Sequence, residues 1–146
     1  MKRVKIRRVC VITPYANGSP AGEPGEVSGE WIGALRKAGN EIMFSFTETD
    51  DDGEKIFNRL IWCDGILTHD RRGAITSRFV FRVGETLPAE ISFPLVTLEL
   101  TVTTENVMFL PTSDGIYIHV LFTTVFAGDS RKTEWTFTVT PTEESN

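Results

Sequence analysis

The chain has 146 residues, 40% apolar and 24% charged, a composition that suits one folded domain and not a disordered segment. Its formal net charge is −5, which argues against a nucleic-acid-binding function because phosphate recognition requires a basic surface. No stretch approaches the roughly 20 apolar residues of a membrane-spanning helix, and no secretory signal is visible. We therefore expect a soluble, cytoplasmic protein without a membrane partner.

The first predicted element is a strand over residues 4–13, VKIRRVCVIT. Val4 and Ile6 alternate with basic residues, so the basic side chains are expected on the solvent-facing side of this strand. Residues 14–30 contain three Pro and four Gly, which disfavour both a helix and a central strand. This segment is predicted to be a long loop, and loops of this length are usually functional or mobile.

Residues 28–39 fit two structures. Ser28 is suited to cap a short helix, but Gly33 weakens a helix and the AGN sequence at 38–40 favours a turn. The hairpin of EWIGAL and EIMFSF is the preferred prediction. An acidic turn then follows at 48–54, and the apolar spacing around 56–61 predicts one short turn of helix.

The sequence CDGILTHD brings four residues typical of metal or catalytic sites close together: Cys63, Asp64, His69 and Asp70. Neighbours in an extended strand point to opposite faces, so these side chains are not expected to converge. The sequence HDRRG at 69–73 is instead predicted to be a β-turn between a strand near 59–67 and a strand near 74–83.

A zinc site in this chain requires side chains from distant segments. Only Cys10 and His119 are available besides Cys63 and His69, and no pair among them has the local spacing of a zinc motif. We assign no metal and no cofactor. Both cysteines lie in apolar runs and are expected to be buried thiols, and the sequence leaves open whether the two lie close together.

The rest of the chain alternates apolar and polar residues, with further strands near 95–104, 115–126 and 134–140. Turns are predicted at 84–94, 110–115 and 127–132. This spacing is typical of a sandwich or a barrel. We predict an all-β protein, an antiparallel β-sandwich with at most one short helix, formed by a single domain of residues 1–140. Residues 141–146 are predicted to be a frayed tail.

Residues 63–100 have a recognisable layout. A strand ending at Asp64 is followed by a turn with Gly73, a strand at 79–83, a connection flanked by Pro88 and Pro94, and an alternating strand. This layout resembles a family of uncharacterised bacterial β-sandwich domains of unknown function. The resemblance implies a β-sandwich fold and no activity.

No nucleotide-binding, hydrolase or metalloprotease motif occurs in the sequence. The preferred prediction is a non-enzymatic module that binds a protein partner or another copy of itself. One alternative is a small-molecule or carbohydrate-binding domain in which residues 14–30 cover Tyr15 and Trp31. A second alternative is a structural component of a virus or phage particle. The candidate binding residues are Tyr15, Trp31, His69, Asp70, Arg71 and Arg72, and no catalytic residue is assigned.

Overall fold

The protein is built from β-strands. A computed structural model describes residues 1–142, in which there are eleven strands and no helix, and hence none that spans a membrane. The strands are β1 (Lys2–Ala16), β2 (Ser19–Pro20), β3 (Gly25–Ala38), β4 (Glu41–Thr49), β5 (Lys55–Cys63), β6 (Ile66–Gly73), β7 (Thr76–Phe81), β8 (Thr86–Phe93), β9 (Val96–Thr112), β10 (Gly115–Phe126) and β11 (Asp129–Pro141).

Ten of these strands form one closed antiparallel ring. The order around the ring is β1, β3 and then β4 to β11 in sequence, and β11 returns to pair with β1. The closing pair extends from Val4 opposite Pro141 to Tyr15 opposite Ser130. The two-residue β2 pairs only with the end of β1. The predicted β-sandwich is therefore wrong, and the protein is a ten-stranded β-barrel.

The error has a simple physical cause. A sandwich and a barrel both require strands with one inward apolar face and one outward polar face, so their alternation patterns are alike. The two architectures differ here in whether the first strand pairs with the last. That pairing joins residues more than a hundred positions apart, for example Cys10 with Trp135, and no local pattern encodes it.

The predicted loop at 14–30 is largely part of the barrel wall. β1 continues to Ala16, a turn with left-handed φ at Asn17 and Gly18 reverses the chain, and β3 begins at Gly25. Pro14 takes part in β1 through its carbonyl oxygen, which accepts a hydrogen bond from the amide of Ala21. A lid formed by the whole segment is therefore excluded.

Two further local predictions are wrong. The short helix at 56–61 is part of β5, because one of the apolar residues that suggested helical spacing, Phe57, lies on the outer face and is exposed. The turn predicted at 69–73 is part of β6. The chain reverses on both sides of β6, at Asp64 and Gly65, where φ is 51° and 81°, and at residues 74–75.

The hairpin of β3 and β4 is confirmed, and its turn is at Gly39 and Asn40. The segment predicted as a turn at 84–94 instead contains β8. Pro141, the first residue of the predicted tail, is still paired in β11, and residues 143–146 of that tail lie outside the described residues.

One end of the barrel is packed with apolar side chains, and we call it the closed end. Phe44 and Phe137 meet edge to face with ring centroids 5.9 Å apart, and Phe81 meets Trp135 at 5.3 Å. Such contacts add to the burial of large apolar areas. The fully buried residues of the core include Val4, Ile6, Phe44, Leu60, Leu67, Phe81, Val102, Ile118, Val120, Phe137 and Val139.

A β-bulge in β9 helps to close this end. The register between β9 and β10 shifts between Leu121 and Phe122, so one extra residue of β9 is accommodated. The extra residue reverses which side chains of β9 point inward. Phe109 is brought onto Trp62, and the two rings stack with centroids 5.0 Å apart.

Gly33 allows β3 and β4 to approach closely. A Cβ at this position would lie 2.1 Å from the backbone oxygen of Ser45 and 2.7 Å from Cδ1 of Ile6. Such distances require the backbone of β4 to move. Glycine is needed here for space, because neighbouring strands approach this position closely.

We expect Gly33→Ala to lower the free energy of unfolding by about 1–3 kcal/mol, the usual cost of overpacking a well-packed interior. Gly25→Ala is the matched control in the same strand, because nothing lies within 4 Å of a Cβ at Gly25. Chemical denaturation of both variants measures the difference. Equal stability of the two variants would contradict the assignment.

Candidate functional site at the open end of the barrel

The interior changes character away from the closed end. Four strands place polar or charged residues on the face that carries apolar side chains elsewhere along the same strand. Together with a buried histidine they form what we call the interior polar cluster: Arg8, Glu48, Asn58, His69 and Arg71. In β1, for example, Arg8 follows Val4 and Ile6 in the alternation and precedes Cys10.

Hydrogen bonds connect four members of the cluster in a chain. Both terminal nitrogens of Arg8 donate to the carboxylate of Glu48 over 3.3 Å. Asn58 Nδ2 donates to Glu48 Oε1 over 2.8 Å, and the ring of His69 lies 2.8 Å from Asn58 Oδ1. Because a carboxylate only accepts and the Asn58 oxygen also accepts, His69 Nε2 must carry the proton.

His69 is held as a neutral ring. Burial lowers the pKa of His69 well below its ordinary value, and the charges of Arg71 and Arg8 lower it further. The ring is packed edge to face against Trp135, with centroids 5.1 Å apart. At neutral pH His69 therefore acts as a hydrogen-bond donor to Asn58 and carries no charge.

Arg8 is fixed on two sides. Glu48 binds its terminal nitrogens, and its guanidinium carbon lies 4.9 Å from the ring centroid of Trp31. Trp31 stacks in turn on Phe46 with centroids 4.6 Å apart. The indole also covers Gly29, where a Cβ would lie 2.4 Å from Trp31 Cη2. Arg8 is thus immobilised by an ion pair and a cation–π contact.

Arg71 has no comparable partner. Its Nε is buried without a hydrogen bond, and none of the carboxylates among residues 1–142 pairs with its guanidinium. Burial lowers the pKa of Arg71, while the more distant charge of Glu48 opposes this shift and that of Arg8 adds to it. Arginine nonetheless remains protonated in proteins, so Arg71 is a partly buried cation with free donors.

A cavity of about 460 Å³ lies beside this cluster inside the barrel. Arg8, His69 and Arg71 contribute to its wall. Most of the remaining wall is apolar or aromatic, and includes Cys10, Ile12, Phe79, Ile91, Leu98, Leu100, Phe122 and Trp135. Val27, Phe93 and Phe126 also line the cavity and are themselves partly exposed, so we call this the open end of the barrel.

A groove of about 940 Å³ lies on the outer side of the wall between β7 and β8. These two strands pair at two positions, Thr76 with Ser92 and Ser77 with Ile91. Arg71 and Ser77 border both the groove and the interior cavity. Leu100 also borders both, so the groove and the cavity adjoin at this part of the wall.

The structure divides the six candidate residues between the two faces of the barrel wall. Trp31, His69 and Arg71 are on the inner face, where all three lie in or beside the cluster. The other three are on the outer face. Asp70 bridges Arg59 and Arg78 of the neighbouring strands at 2.9 and 3.3 Å.

The remaining outer residues lie apart from each other. Arg72 borders the outer groove, and Tyr15 is covered by the ammonium of Lys132, 5.0 Å from its ring centroid. Tyr15 and Trp31 therefore do not form the common platform that a lid at 14–30 required.

Sequence reasoning missed Arg8, Glu48 and Asn58. The available signal was their position in the alternation along each strand. Glu48 is on the same face of β4 as Phe44 and Phe46, and Asn58 is on the same face of β5 as Ile56 and Leu60. A polar residue in phase with the apolar face of a strand points into the interior. Arg8 was instead expected on the solvent-facing side, which is wrong.

Cys10 and Cys63 are both unpaired thiols in the structure. Their strands, β1 and β5, are separated in the ring by β3 and β4. Burial raises the pKa of the Cys10 thiol, although the charge of Arg8 opposes the shift. Among residues 1–142, no three His, Cys, Asp or Glu side chains are grouped so as to hold a metal ion.

Residues 21–131 match the profile of a family described as a domain of unknown function, DUF1934. The chain belongs to this family. The predicted relation to an uncharacterised domain is thus confirmed, and the resembling segment lies within the matched range. No functionally curated protein matches this DUF1934 chain.

A solved structure supports the barrel. The crystal structure of the ywiB protein from Bacillus subtilis is similar to this DUF1934 chain with a TM-score of 0.78 and 18% sequence identity. The match covers 94% of this chain and 91% of that chain. At this identity the similarity concerns the fold alone, and it includes nearly the whole barrel.

The buried neutral state of His69 predicts a pH-dependent stability. The unfolded chain binds a proton at this residue below about pH 6.5, whereas the folded protein does not. Stability should therefore fall as the pH decreases below that value, by at most about 1.4 kcal/mol per pH unit.

The variant His69→Gln preserves a donor for Asn58 and removes the titrating group. We expect its free energy of unfolding to depend less steeply on pH between 7 and 5 than that of the parent protein. His119→Gln on the outer face, where His119 bonds Glu134, is the control. Parallel pH profiles for the parent protein and His69→Gln would refute the assignment.

Proposed function

We propose that this DUF1934 protein is a non-enzymatic binding protein that holds one small molecule inside the barrel. The observation that carries the proposal is the cavity of about 460 Å³ at the open end, with a mainly apolar wall and a few polar groups. This combination of size and lining is characteristic of small-molecule sites.

The barrel geometry supports an interior ligand. An eight-stranded barrel is just wide enough to be filled by side chains or to hold one small ligand, and the diameter grows with the number of strands. A ten-stranded barrel therefore has a wider interior than an eight-stranded one, and its side chains need not fill it completely. Phe109 and Trp62 help to close one end, which leaves space only toward the other.

The chemistry of the cavity favours binding over catalysis. Cys10 has a raised pKa and is present as a thiol, whereas the thiolate is the nucleophilic form. His69 has its Nε2 proton engaged by Asn58 and a pKa too low for it to act as an acid near neutral pH. The Cys10 thiol and the His69 ring are thus better suited to line a binding cavity than to act as a nucleophile or a general acid.

Protein partners and self-association remain a second proposal with weaker support. Exposed sheet edges would favour such partners, but the closed ring pairs each of its ten strands on both sides. The small-molecule function is preferred for this reason. The unpaired thiols are consistent with the proposed cytoplasmic, reducing location.

Binding of N-phenyl-1-naphthylamine, an uncharged apolar dye, tests the small-molecule function. We expect saturable fluorescence enhancement with one dye per chain. Leu98→Trp places a large side chain in the cavity wall and should weaken binding at least about tenfold, or ~1.4 kcal/mol. Thr97→Trp is the control, because Thr97 is the exposed neighbour on the opposite face of β9.

Thermal unfolding of both variants verifies that they are folded. If the dye does not bind the parent protein, or binds Leu98→Trp and the parent protein with equal affinity, the cavity is not a ligand site.

A further inference from the structure

We propose that the ligand is an amphipathic monoanion, a carboxylate on an apolar body, whose carboxylate binds Arg71 inside the barrel. This inference rests on the proposed small-molecule function and specifies the class of ligand. It follows from the charges of the interior, the free donors of Arg71 and the mainly apolar wall of the same cavity.

The interior carries an uncompensated positive charge. The charged members of the interior polar cluster are two guanidinium groups, Arg8 and Arg71, and one carboxylate, Glu48. His69 is neutral. The sum is one positive charge beside a cavity, because Asp129 and Arg131, which also line it, pair with each other at 3.6 Å. A partly buried charge without a counter-charge is costly. One bound monoanion would neutralise the interior.

The geometry selects Arg71 as the binding group. Arg8 is already occupied by Glu48 and by the ring of Trp31. Arg71 lines the cavity and pairs with none of the carboxylates in residues 1–142, and its Nε, like that of Arg8, is buried without a hydrogen bond. A guanidinium presents its donors in a planar fork that matches the two oxygens of a carboxylate.

Hydroxyl groups on the wall of the same cavity are available to complete the site. Ser77 and Thr133 are buried, and both line the same cavity. Ser77 is opposite Arg71 in the pairing of β6 with β7. These hydroxyls donate hydrogen bonds to an anion without adding charge.

The apolar part of the cavity wall is suited to an apolar body. Ile12, Ile91, Leu98 and Phe122 line the cavity without offering side-chain hydrogen bonds. A fully polar anion would leave this surface in contact with water, whereas an alkyl or aryl chain would bury it. The charge sum also favours a monoanion over a dianionic phosphate, which would leave the interior with one negative charge.

Competition between matched ligands tests the inference. Octanoate and 1-octanol have the same chain length and differ at the head group, and both would displace N-phenyl-1-naphthylamine from the cavity. At neutral pH we expect octanoate to bind at least about tenfold more tightly than 1-octanol. Octyl phosphate, measured in parallel, is expected to bind more weakly than octanoate.

Variants then localise the effect. Arg71→Gln should reduce the affinity for octanoate at least about tenfold and leave that for 1-octanol unchanged. Arg71→Lys should retain part of the preference because it keeps the charge. Arg72→Gln removes the next arginine in β6, on the outer face, and should leave the affinities for both ligands unchanged.

The outcomes separate this inference from the function on which it rests. If dye and both octyl ligands fail to bind, the small-molecule function and the inference are both rejected. Equal affinities for octanoate and 1-octanol, or an unchanged preference in Arg71→Gln, overturn the anion site alone. If octyl phosphate binds more tightly than octanoate, the carboxylate ligand is overturned in favour of a phosphate ester.

Discussion

The pairing of β1 with β11 is the contact on which the rest of the structure depends. It joins the first and last strands over most of their length and converts an open sheet into a barrel. Once the ring is closed, alternate side chains of every strand share one interior. Arg8 from the start of the chain is thereby brought near Glu48 and Arg71, although no two of these residues belong to adjacent strands in the sequence.

Closure also explains why the two ends of the interior differ. Long aromatic and aliphatic side chains fill one end, where Phe44, Phe81 and Phe137 are fully buried. Toward the other end some inward positions are polar, and a cavity with a mainly apolar wall lies beside them. A barrel that needed only a stable core would place apolar residues throughout, because buried ion pairs contribute little net stability. The interior polar cluster is therefore better explained by the proposed ligand than by folding.

Within the interior polar cluster, the role of each side chain follows from its hydrogen-bond and ion-pair partners. Glu48 and Trp31 hold Arg8, and Asn58 transmits the hydrogen-bond chain to His69. Arg71 receives no such bond. The fixed groups give the site its shape and electrostatic potential, and the free guanidinium supplies the donors that the proposed anion requires. Preorganisation of this kind lowers the cost of binding.

The sequence by itself determined that the protein is mostly β and that most strands have one apolar and one polar face. It favoured, without deciding, the β3–β4 hairpin, whose turn is at Gly39 and Asn40. These features depend on alternation and turn chemistry, which act between near neighbours in the chain. The alternation along β1 and β4 also places Arg8 and Glu48 on the inward faces of these strands. Only the tertiary structure decided that the sheet closes into a barrel and that Arg71 lacks a counter-charge beside a cavity, because both depend on contacts between residues far apart in the chain.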